Sequence, residues 1–245
     1  MTNSEDQKVV QLTEEQDTPS KKERLRSKGI YLLPNLFTTG ALFSGFYAIV
    51  AGMNNDFVNA SIAIFVAMIL DGAEYDSLAD MVSFGVAPAL VTFSWALQDL
   101  GKIGWVAAFV YVAGAALRLA RFNTQIDTAD KNYFTGLASP AAAAIVAGTV
   151  WAFSDMGATG EDVAWVMAFL VPFAGILMVS NFQYHSFKGL DLKGKVPFVA
   201  MLAVVMVFVV ISIDPGKVLF GVFVGYALSG PVMTLWKMLK ARKAA

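Results

Sequence analysis

From residue 31 onward the sequence alternates long apolar stretches with brief polar links. The hydrocarbon core of a bilayer is roughly 30 Å thick, so a helix that crosses it needs about 20 residues. The candidate spans are residues 33–53, 57–70, 81–98, 103–122, 137–153, 162–180, 196–213 and 216–236. This pattern predicts an all-α, polytopic membrane bundle of about eight transmembrane helices.

The composition excludes several other classes of protein. Hydrophobic residues make up 57% of the chain and charged residues 15%, whereas soluble domains carry about 25% charged residues. The formal net charge of -1 provides no basic field, so we expect no nucleic-acid partner. The chain has no cysteine, which excludes disulfides, thiolate zinc sites and cysteine nucleophiles. Any metal ion would therefore be bound mostly by oxygen.

The basic residues predict the orientation, because Lys and Arg of short links collect on the cytoplasmic side. The odd-numbered links carry one firm basic residue, Lys102. The even-numbered links and the C-terminal segment carry many more, namely Arg118, Arg121, Lys131, Lys188, Lys193, Lys195, Lys237, Lys240, Arg242 and Lys243. We therefore predict two cytoplasmic termini, with a polar tail over residues 1–30, a membrane domain over 31–236 and a basic tail over 237–245.

One acidic segment lies where the second and third spans meet. Four acidic residues fall within ten positions, Asp71, Glu74, Asp76 and Asp80, although a carboxylate at membrane depth costs on the order of 2.5–3.5 kcal/mol. On a helix, Asp76 and Asp80 share one face, where they repel unless a cation or a proton lies between them. An oxygen-only site suits Mg²⁺ or Mn²⁺ with substrate phosphates. A solvated acidic loop is the alternative.

This segment resembles a known signature. Gly72-x3-Asp76-x3-Asp80 is similar to the second half of D-x2-D-G-x2-A-R-x8-G-x3-D-x3-D, the motif of the CDP-alcohol phosphatidyltransferase family. Four runs resemble the branch of that family whose acceptor is L-serine: PNLFT at 34–38, DSLADMVSFG at 76–85, RLARFN at 118–123 and FTGLASP at 134–140. The resemblance extends from about residue 31 to residue 181.

The first half of the signature is missing. The chain runs from Asp71-Gly72 directly into Ala73, so about fifteen residues are absent, including one metal-binding Asp and the motif Arg. The second span keeps about 14 apolar residues, or some 21 Å of helix. On an unbroken helix, Asp71 would project about 140° from Asp76 and about 180° from Asp80, so three carboxylates can share a metal only if the helix breaks near Gly72.

The resemblance implies an activity and a set of roles. The reaction is transfer of a phosphatidyl group from CDP-diacylglycerol to L-serine with release of CMP. Asp71, Asp76 and Asp80 would hold Mg²⁺ or Mn²⁺, and Asp80 would also be the general base. The resemblance further implies a bacterial inner-membrane protein surrounded by membrane lipid, and a homodimer.

The substrate-binding residues implied by the resemblance are Asn35, Thr38, Gly72, Arg118 and Arg121. Arg118 and Arg121 lie three residues apart and can bind the carboxylate of the acceptor or a phosphate; anchoring at the inner membrane surface is the alternative. Asn35 and Thr38 would bind the cytidine or the ribose, with helix capping as the alternative.

Other functions stay open at this point. One alternative keeps the family but changes the acceptor to glycerol phosphate or inositol phosphate, either of which would require a more cationic pocket. A catalytically impaired membrane protein is another reading, because the motif is truncated. A transporter is a third, but the acidic segment has no second copy of the kind that internal repeats produce.

Overall fold

The computed structural model of the chain describes residues 21–71, 77–125, 133–185 and 198–244. The chain divides into two compact units, Met1–Leu36 and Phe37–Ala245. The described helices are α1 (Lys21–Met53), α2 (Phe57–Leu70), α3 (Ser77–Leu100), α4 (Lys102–Gln125), α5 (Ser139–Asp155), α6 (Gly160–Val179), α7 (Phe198–Ile213) and α8 (Pro215–Ala244). Two short strands are also present, β1 (Tyr133–Thr135) and β2 (Gln183–His185).

The predicted all-α membrane bundle is confirmed, and a described helix overlaps each of the predicted spans. Among the described residues, five helical segments are long and apolar enough to cross a membrane: Asn35–Met53, Ser77–Leu100, Lys102–Thr124, Gly160–Val179 and Pro215–Lys240. Helix α2 is a shorter apolar helix of 14 residues, as the sequence predicted. The count of eight crossings and the cytoplasmic position of both termini stay predictions.

Two helices extend beyond the apolar sequence. Helix α1 begins at Lys21, inside the predicted polar tail, and α8 continues through the predicted basic tail to Ala244. Lys, Glu and Arg are good helix formers, so a helix can continue after its apolar part has ended. The predicted boundaries of the tails and of the membrane domain stay predictions.

Helix α3 contains two π-helical stretches, Met81–Val86 and Phe93–Leu97, and the first follows directly after Asp80. Pro88 has no N–H to give to the carbonyl of Phe84, four residues earlier. The buried hydroxyl of Tyr111, on α4, donates to that carbonyl at 2.8 Å. A hydrogen bond from a second helix therefore satisfies the carbonyl.

The core is built around small residues. Helix α5 carries the buried run from Ala141 to Ala147 and packs against α2 and α8. Helices α4 and α6 approach each other at two glycines, where a Cβ added to Gly114 would lie 2.5 Å from the carbonyl oxygen of Gly175. Lipid tails are as apolar as the helix surfaces, so the hydrophobic effect contributes little to the association of helices in a membrane. Close backbone contact of this kind is therefore a main source of their association.

Strands β1 and β2 join two loops at the end of the bundle where α4 ends. They pair antiparallel, with Phe134 opposite Tyr184. The pairing continues at Gly136, whose N–H donates to the carbonyl of Phe182 at 2.8 Å. Gly136 has a φ of 81°, and a Cβ there would collide with the carbonyl oxygen of Met178, so only glycine fits. The loop before α5 is thereby fixed to the loop after α6.

Candidate active site

The structure brings three of the predicted site residues, Asp80, Arg118 and Arg121, to one end of the bundle. Two predicted site residues, Gly72 and Asp76, lie outside the described residues. Of the remaining three, Asn35 and Thr38 lie in the middle part of α1, and Asp71 directly follows the last residue of α2.

Asp71 caps the C-terminus of α2. Its backbone N–H donates to the carbonyl of Ala67 at 2.9 Å, and its φ of -73° and ψ of 51° are not helical. The helix therefore ends before Gly72. The arrangement of three carboxylates requires a break in the helix near Gly72, and α2 ends at this position; the arrangement itself stays a prediction.

Asp80 lies one turn into α3, at the point where the π-helical stretch begins. Its side chain is partly exposed. The carboxylate lies close enough to the guanidinium of Arg118 for electrostatic attraction. An acidic group of α3 and a cationic group of α4 are thus electrostatically coupled at this end of the bundle.

Arg118 is held from the loop that precedes α5. Its Nε donates to the carbonyl oxygen of Leu137 at 2.5 Å, and its Nη1 donates to Oγ of Ser139 at 3.3 Å. A guanidinium carries five N–H donors in a planar fork, so it can bind this loop and an anionic group at the same time. The loop fixes the orientation of the cation beside Asp80.

Arg121, one helical turn later, is held from the other loop. Its Nη1 donates to the carbonyl oxygen of Ser180 at 3.4 Å and to Oδ1 of Asn181 at 3.3 Å. Positions three residues apart lie on the same side of a helix. The two arginines of α4 therefore bind the two loops that β1 and β2 join, one loop each.

A pair of polar side chains connects the start of α3 to the end of α4. Oγ of Ser77 donates to Oδ1 of Asn123 at 3.2 Å, and Nδ2 of Asn123 donates to Ser77 Oγ at 2.9 Å. This pair links the helix of Asp80 to the helix of both arginines. Sequence reasoning assigned neither residue a role, although Ser77 and Asn123 both lie in runs that resemble the family.

Two packed tyrosines, one on β2 and one on α8, were given no role by the sequence analysis. Tyr184, on β2, is fully buried, and its hydroxyl donates to the carbonyl oxygen of Ala227 at 3.0 Å. Burial raises the pKa of Tyr184 to about 12, which keeps the phenol protonated as a donor. Its ring packs on that of Tyr226 with centroids 5.5 Å apart. No motif marks these positions in the sequence.

Binding of the cytidine or the ribose by Asn35 and Thr38 stays a prediction. Thr38 is partly exposed on α1. Asn35 is exposed and belongs to the N-terminal unit.

Two of the three predicted metal ligands lie among the described residues. Asp71 and Asp80 supply carboxylate oxygens, which suit Mg²⁺ or Mn²⁺. Within the described part of the chain no three His, Cys, Asp or Glu side chains group together. The third predicted ligand, Asp76, falls outside that part.

The fold and the site define a polytopic membrane protein in which a carboxylate and two arginines meet at one end of a helical bundle. The model of the CDP-alcohol phosphatidyltransferase family matches residues 72–180. The CDP-diacylglycerol–serine O-phosphatidyltransferase of Helicobacter pylori strain J99 is 32% identical over 228 residues, which cover 86% of this chain and 94% of that protein. The chain belongs to the CDP-alcohol phosphatidyltransferase family, which is generally dependent on divalent metals.

Two further relatives agree with this assignment. The CDP-diacylglycerol–serine O-phosphatidyltransferase of Mycobacterium leprae is 30% identical over 210 residues, covering 76% of this chain and 70% of that protein. The archaetidylserine synthase of Methanothermobacter thermautotrophicus is 29% identical over 176 residues, covering 64% of this chain and 71% of that protein.

The alignment with the Helicobacter protein also contains positions that have no counterpart in this chain. The 228 positions aligned with the Helicobacter protein contain 86% of the 245 residues of this chain, or about 211, so about 17 positions have no residue here. That number is close to the stretch that the truncated signature lacks. The family match itself begins at residue 72, directly after the predicted gap.

Proposed function

We propose that this multi-pass membrane protein transfers the phosphatidyl group of CDP-diacylglycerol to the hydroxyl of L-serine and releases CMP. The observation that carries the proposal is the Arg118 guanidinium, which is hydrogen-bonded to Leu137 and Ser139 and is electrostatically attracted to the Asp80 carboxylate. L-Serine has a carboxylate and a hydroxyl separated by two carbon atoms, so one small molecule can reach a cation and a base together. The names of the relatives support serine as the acceptor.

In this reaction Arg118, Asp80 and Arg121 have separate tasks. Arg118 binds the carboxylate of serine through a charge-assisted hydrogen bond. Asp80 accepts the proton of the serine hydroxyl, whose oxygen attacks the phosphatidyl phosphorus while the bond to the CMP oxygen breaks. Arg121 adds positive charge to the same region, which also favours an anionic substrate.

The carboxylates of Asp71, Asp76 and Asp80 would hold the divalent ion. Mg²⁺ or Mn²⁺ there would neutralise the pyrophosphate charge and improve CMP as a leaving group. Because the signature is truncated, this set is short of at least one anionic ligand. We therefore expect low or no turnover from the chain as it stands.

The decisive experiment compares two proteins. One is the chain itself, and the other is an insert-restored chain in which about fifteen residues of the family signature are returned between Asp71 and Gly72. Serine-dependent release of CMP is measured with CDP-diacylglycerol and Mg²⁺ or Mn²⁺. We expect turnover from the insert-restored chain alone. Full activity of the original chain would contradict the account of the missing ligand.

The same assay distinguishes the proposed function from its alternatives. Glycerol phosphate and inositol phosphate replace L-serine in parallel reactions, and faster release of CMP with either one would change the acceptor. Absence of release from the insert-restored chain with every acceptor would support a catalytically silent membrane protein. The homodimer and the location in a bacterial inner membrane stay predictions.

A further inference from the structure

The first π-helical stretch of α3, Met81–Val86, is hydrogen-bonded to two neighbouring helices. From α4, the hydroxyl of Tyr111 donates to the carbonyl oxygen of Phe84 at 2.8 Å. From the stretch itself, Oγ of Ser83 donates to the carbonyl oxygen of Ala41, on α1, at 3.0 Å. Tyr111, Phe84 and Ser83 are fully buried. Because π-helical turns are rare and short in proteins, these two bonds indicate that tertiary contacts stabilise this one.

The face of α4 that contacts the π-helical stretch also carries an arginine of the candidate active site. Ala115 follows Tyr111 by four residues and Arg118 follows it by seven, so the three lie on one face of the helix. A Cβ added to Gly85, inside the stretch, would lie 3.2 Å from Cβ of Ala115. This face of α4 therefore contacts the stretch at two consecutive residues.

Asp80 lies between two hydrogen-bonded contacts of α3 with α4, and it directly precedes the π-helical stretch. Three residues before it, Ser77 is bonded to Asn123. Four residues after it lies the carbonyl that accepts the bond from Tyr111. On α4, Arg118 falls between Tyr111 and Asn123. The same two contacts thus enclose Asp80 on one helix and Arg118 on the other, and they fix the register of the two helices there.

The π-helical stretch also sets the rotation of the first turn of α3. In it the N–H of Ala87 donates to the carbonyl of Val82, five residues earlier, whereas an α-helix joins residues four apart. The stretch therefore holds one residue more than an α-helical turn, and one residue turns a helix by about 100°. If the stretch became α-helical, each residue before it would take the direction of its predecessor. Asp80 would then point where the buried Ala79 points.

We propose that Tyr111 is a positioning residue, whose hydroxyl holds the π-helical turn of α3 and thereby sets the direction of the Asp80 carboxylate. The part that concerns turnover rests on the proposed function, in which Asp80 accepts the proton of the acceptor hydroxyl and helps to hold the divalent ion. Tyr111 acts through the backbone of α3 and transfers no proton in the reaction.

The first test measures the rotation of α3 without any substrate. The chain has no cysteine, so a single introduced thiol reports on one position. Leu78→Cys, at a residue 73% exposed, and Ala79→Cys, at a residue 4% exposed, are made in the full chain with and without Tyr111→Phe. A water-soluble maleimide labels each protein in detergent, and mass spectrometry gives the rate. With Tyr111→Phe, we expect several-fold faster labelling at position 79 and several-fold slower labelling at position 78.

The chain offers two controls for this measurement. Gln98→Cys places the thiol at an exposed position near the other end of α3, where Tyr111→Phe should leave the rate unchanged. Thr149→Val is the matched variant, because it removes a different buried hydroxyl, which donates to the carbonyl oxygen of Ile145 within α5 at 2.7 Å. It should leave the rates at positions 78 and 79 unchanged. With Tyr111→Phe, any result other than opposite changes at these two positions would overturn the positioning role.

The second test measures turnover by the insert-restored chain at a temperature at which every variant is folded. Tyr111→Phe should lower kcat by about 10-fold to 100-fold, because the Asp80 carboxylate is misplaced. The KM for L-serine should change little, because the bonds that hold Arg118 to Leu137 and Ser139 are kept. Thr149→Val should leave both constants unchanged.

The positioning role and the proposed function fail separately. A kcat that Tyr111→Phe leaves unchanged, or a loss confined to KM, would overturn the positioning role, while turnover of the insert-restored chain would still support the proposed function. Absence of CMP release from the insert-restored chain with every acceptor, together with opposite changes of labelling at positions 78 and 79, would overturn the proposed function and support the hold of Tyr111 on α3.

Discussion

The two ends of the helical bundle use polar side chains in different ways. At the end with the short links between helices, the side-chain hydrogen bonds join residues three apart: Asp56 with Asn59, Thr159 with Asp162 and Asp214 with Lys217. At the end with the candidate active site, several of them join distant residues: Arg118 with Leu137, Ser77 with Asn123 and Arg121 with Asn181, which are 19, 46 and 60 positions apart.

This difference separates two tasks. A bond between residues three apart caps one helix, and it stabilises that helix wherever the rest of the chain lies. A bond between distant residues fixes two elements relative to each other and can hold functional groups at a set distance. We therefore expect substitutions at the short-link end to lower stability, and those at the site end to lower activity.

The largest effect is expected at Asp80. In the insert-restored chain, Asp80→Asn keeps the shape of the side chain but removes the base, so release of CMP should fall by about 100-fold or more. Asp56→Asn is the matched change at the short-link end, where Asn also caps a helix well, and it should leave the rate unchanged. An Asp80→Asn variant with full turnover would remove the basis of the proposed mechanism.

Arg118→Lys should have the next largest effect. Lysine keeps the charge but cannot reproduce the planar fork that binds Leu137 and Ser139 together. We expect the KM for L-serine to rise by roughly 10-fold to 100-fold in the insert-restored chain, with the KM for CDP-diacylglycerol little changed. Arg121→Lys tests the partner with longer hydrogen bonds and should raise the KM less. Equal effects on both substrates would argue against a specific acceptor contact.

A smaller effect, on stability alone, is expected at the start of α6. Thr159 and Asp162 form a capping box there. Thr159→Ala should reduce the free energy of unfolding by about 1 kcal/mol, because a helix cap is lost. Unfolding in detergent measures this change, and release of CMP by the same substitution in the insert-restored chain should be unaffected. A lower rate would show that the short-link end also contributes to function.

The smallest expected effect is on the pH dependence of stability, at the start of α8. Hydrogen bonds from the Lys217 side chain and backbone hold the pKa of the exposed Asp214 carboxyl below its usual value. Its contribution to stability is therefore present above the ordinary Asp pKa of about 3.9 and is lost as the pH falls through the lowered value. Asp214→Asn should lower Tm slightly at neutral pH, and the difference from the unaltered chain should disappear in acid. A difference that persists in acid would contradict the assignment.

Much of the fold could be predicted because a membrane span is a local property of the sequence. The 14-residue α2 and the end of that helix near Asp71 followed from the length of one apolar run and from the glycine after it. The π-helical stretches of α3 could not be predicted in the same way. Pro88 lacks a backbone N–H, but only the packing of α4 against α3 brings the Tyr111 hydroxyl to the carbonyl of Phe84.

The sequence by itself determined the all-α membrane architecture, the truncated signature and the residue types of the site, because these depend on apolar length and on spacing along one chain. The tertiary structure decided that Arg118 is electrostatically coupled to Asp80, that each arginine holds a different loop, and that Tyr184 packs on Tyr226. These contacts join elements that are far apart in the chain, and they form only when the helices have packed against each other.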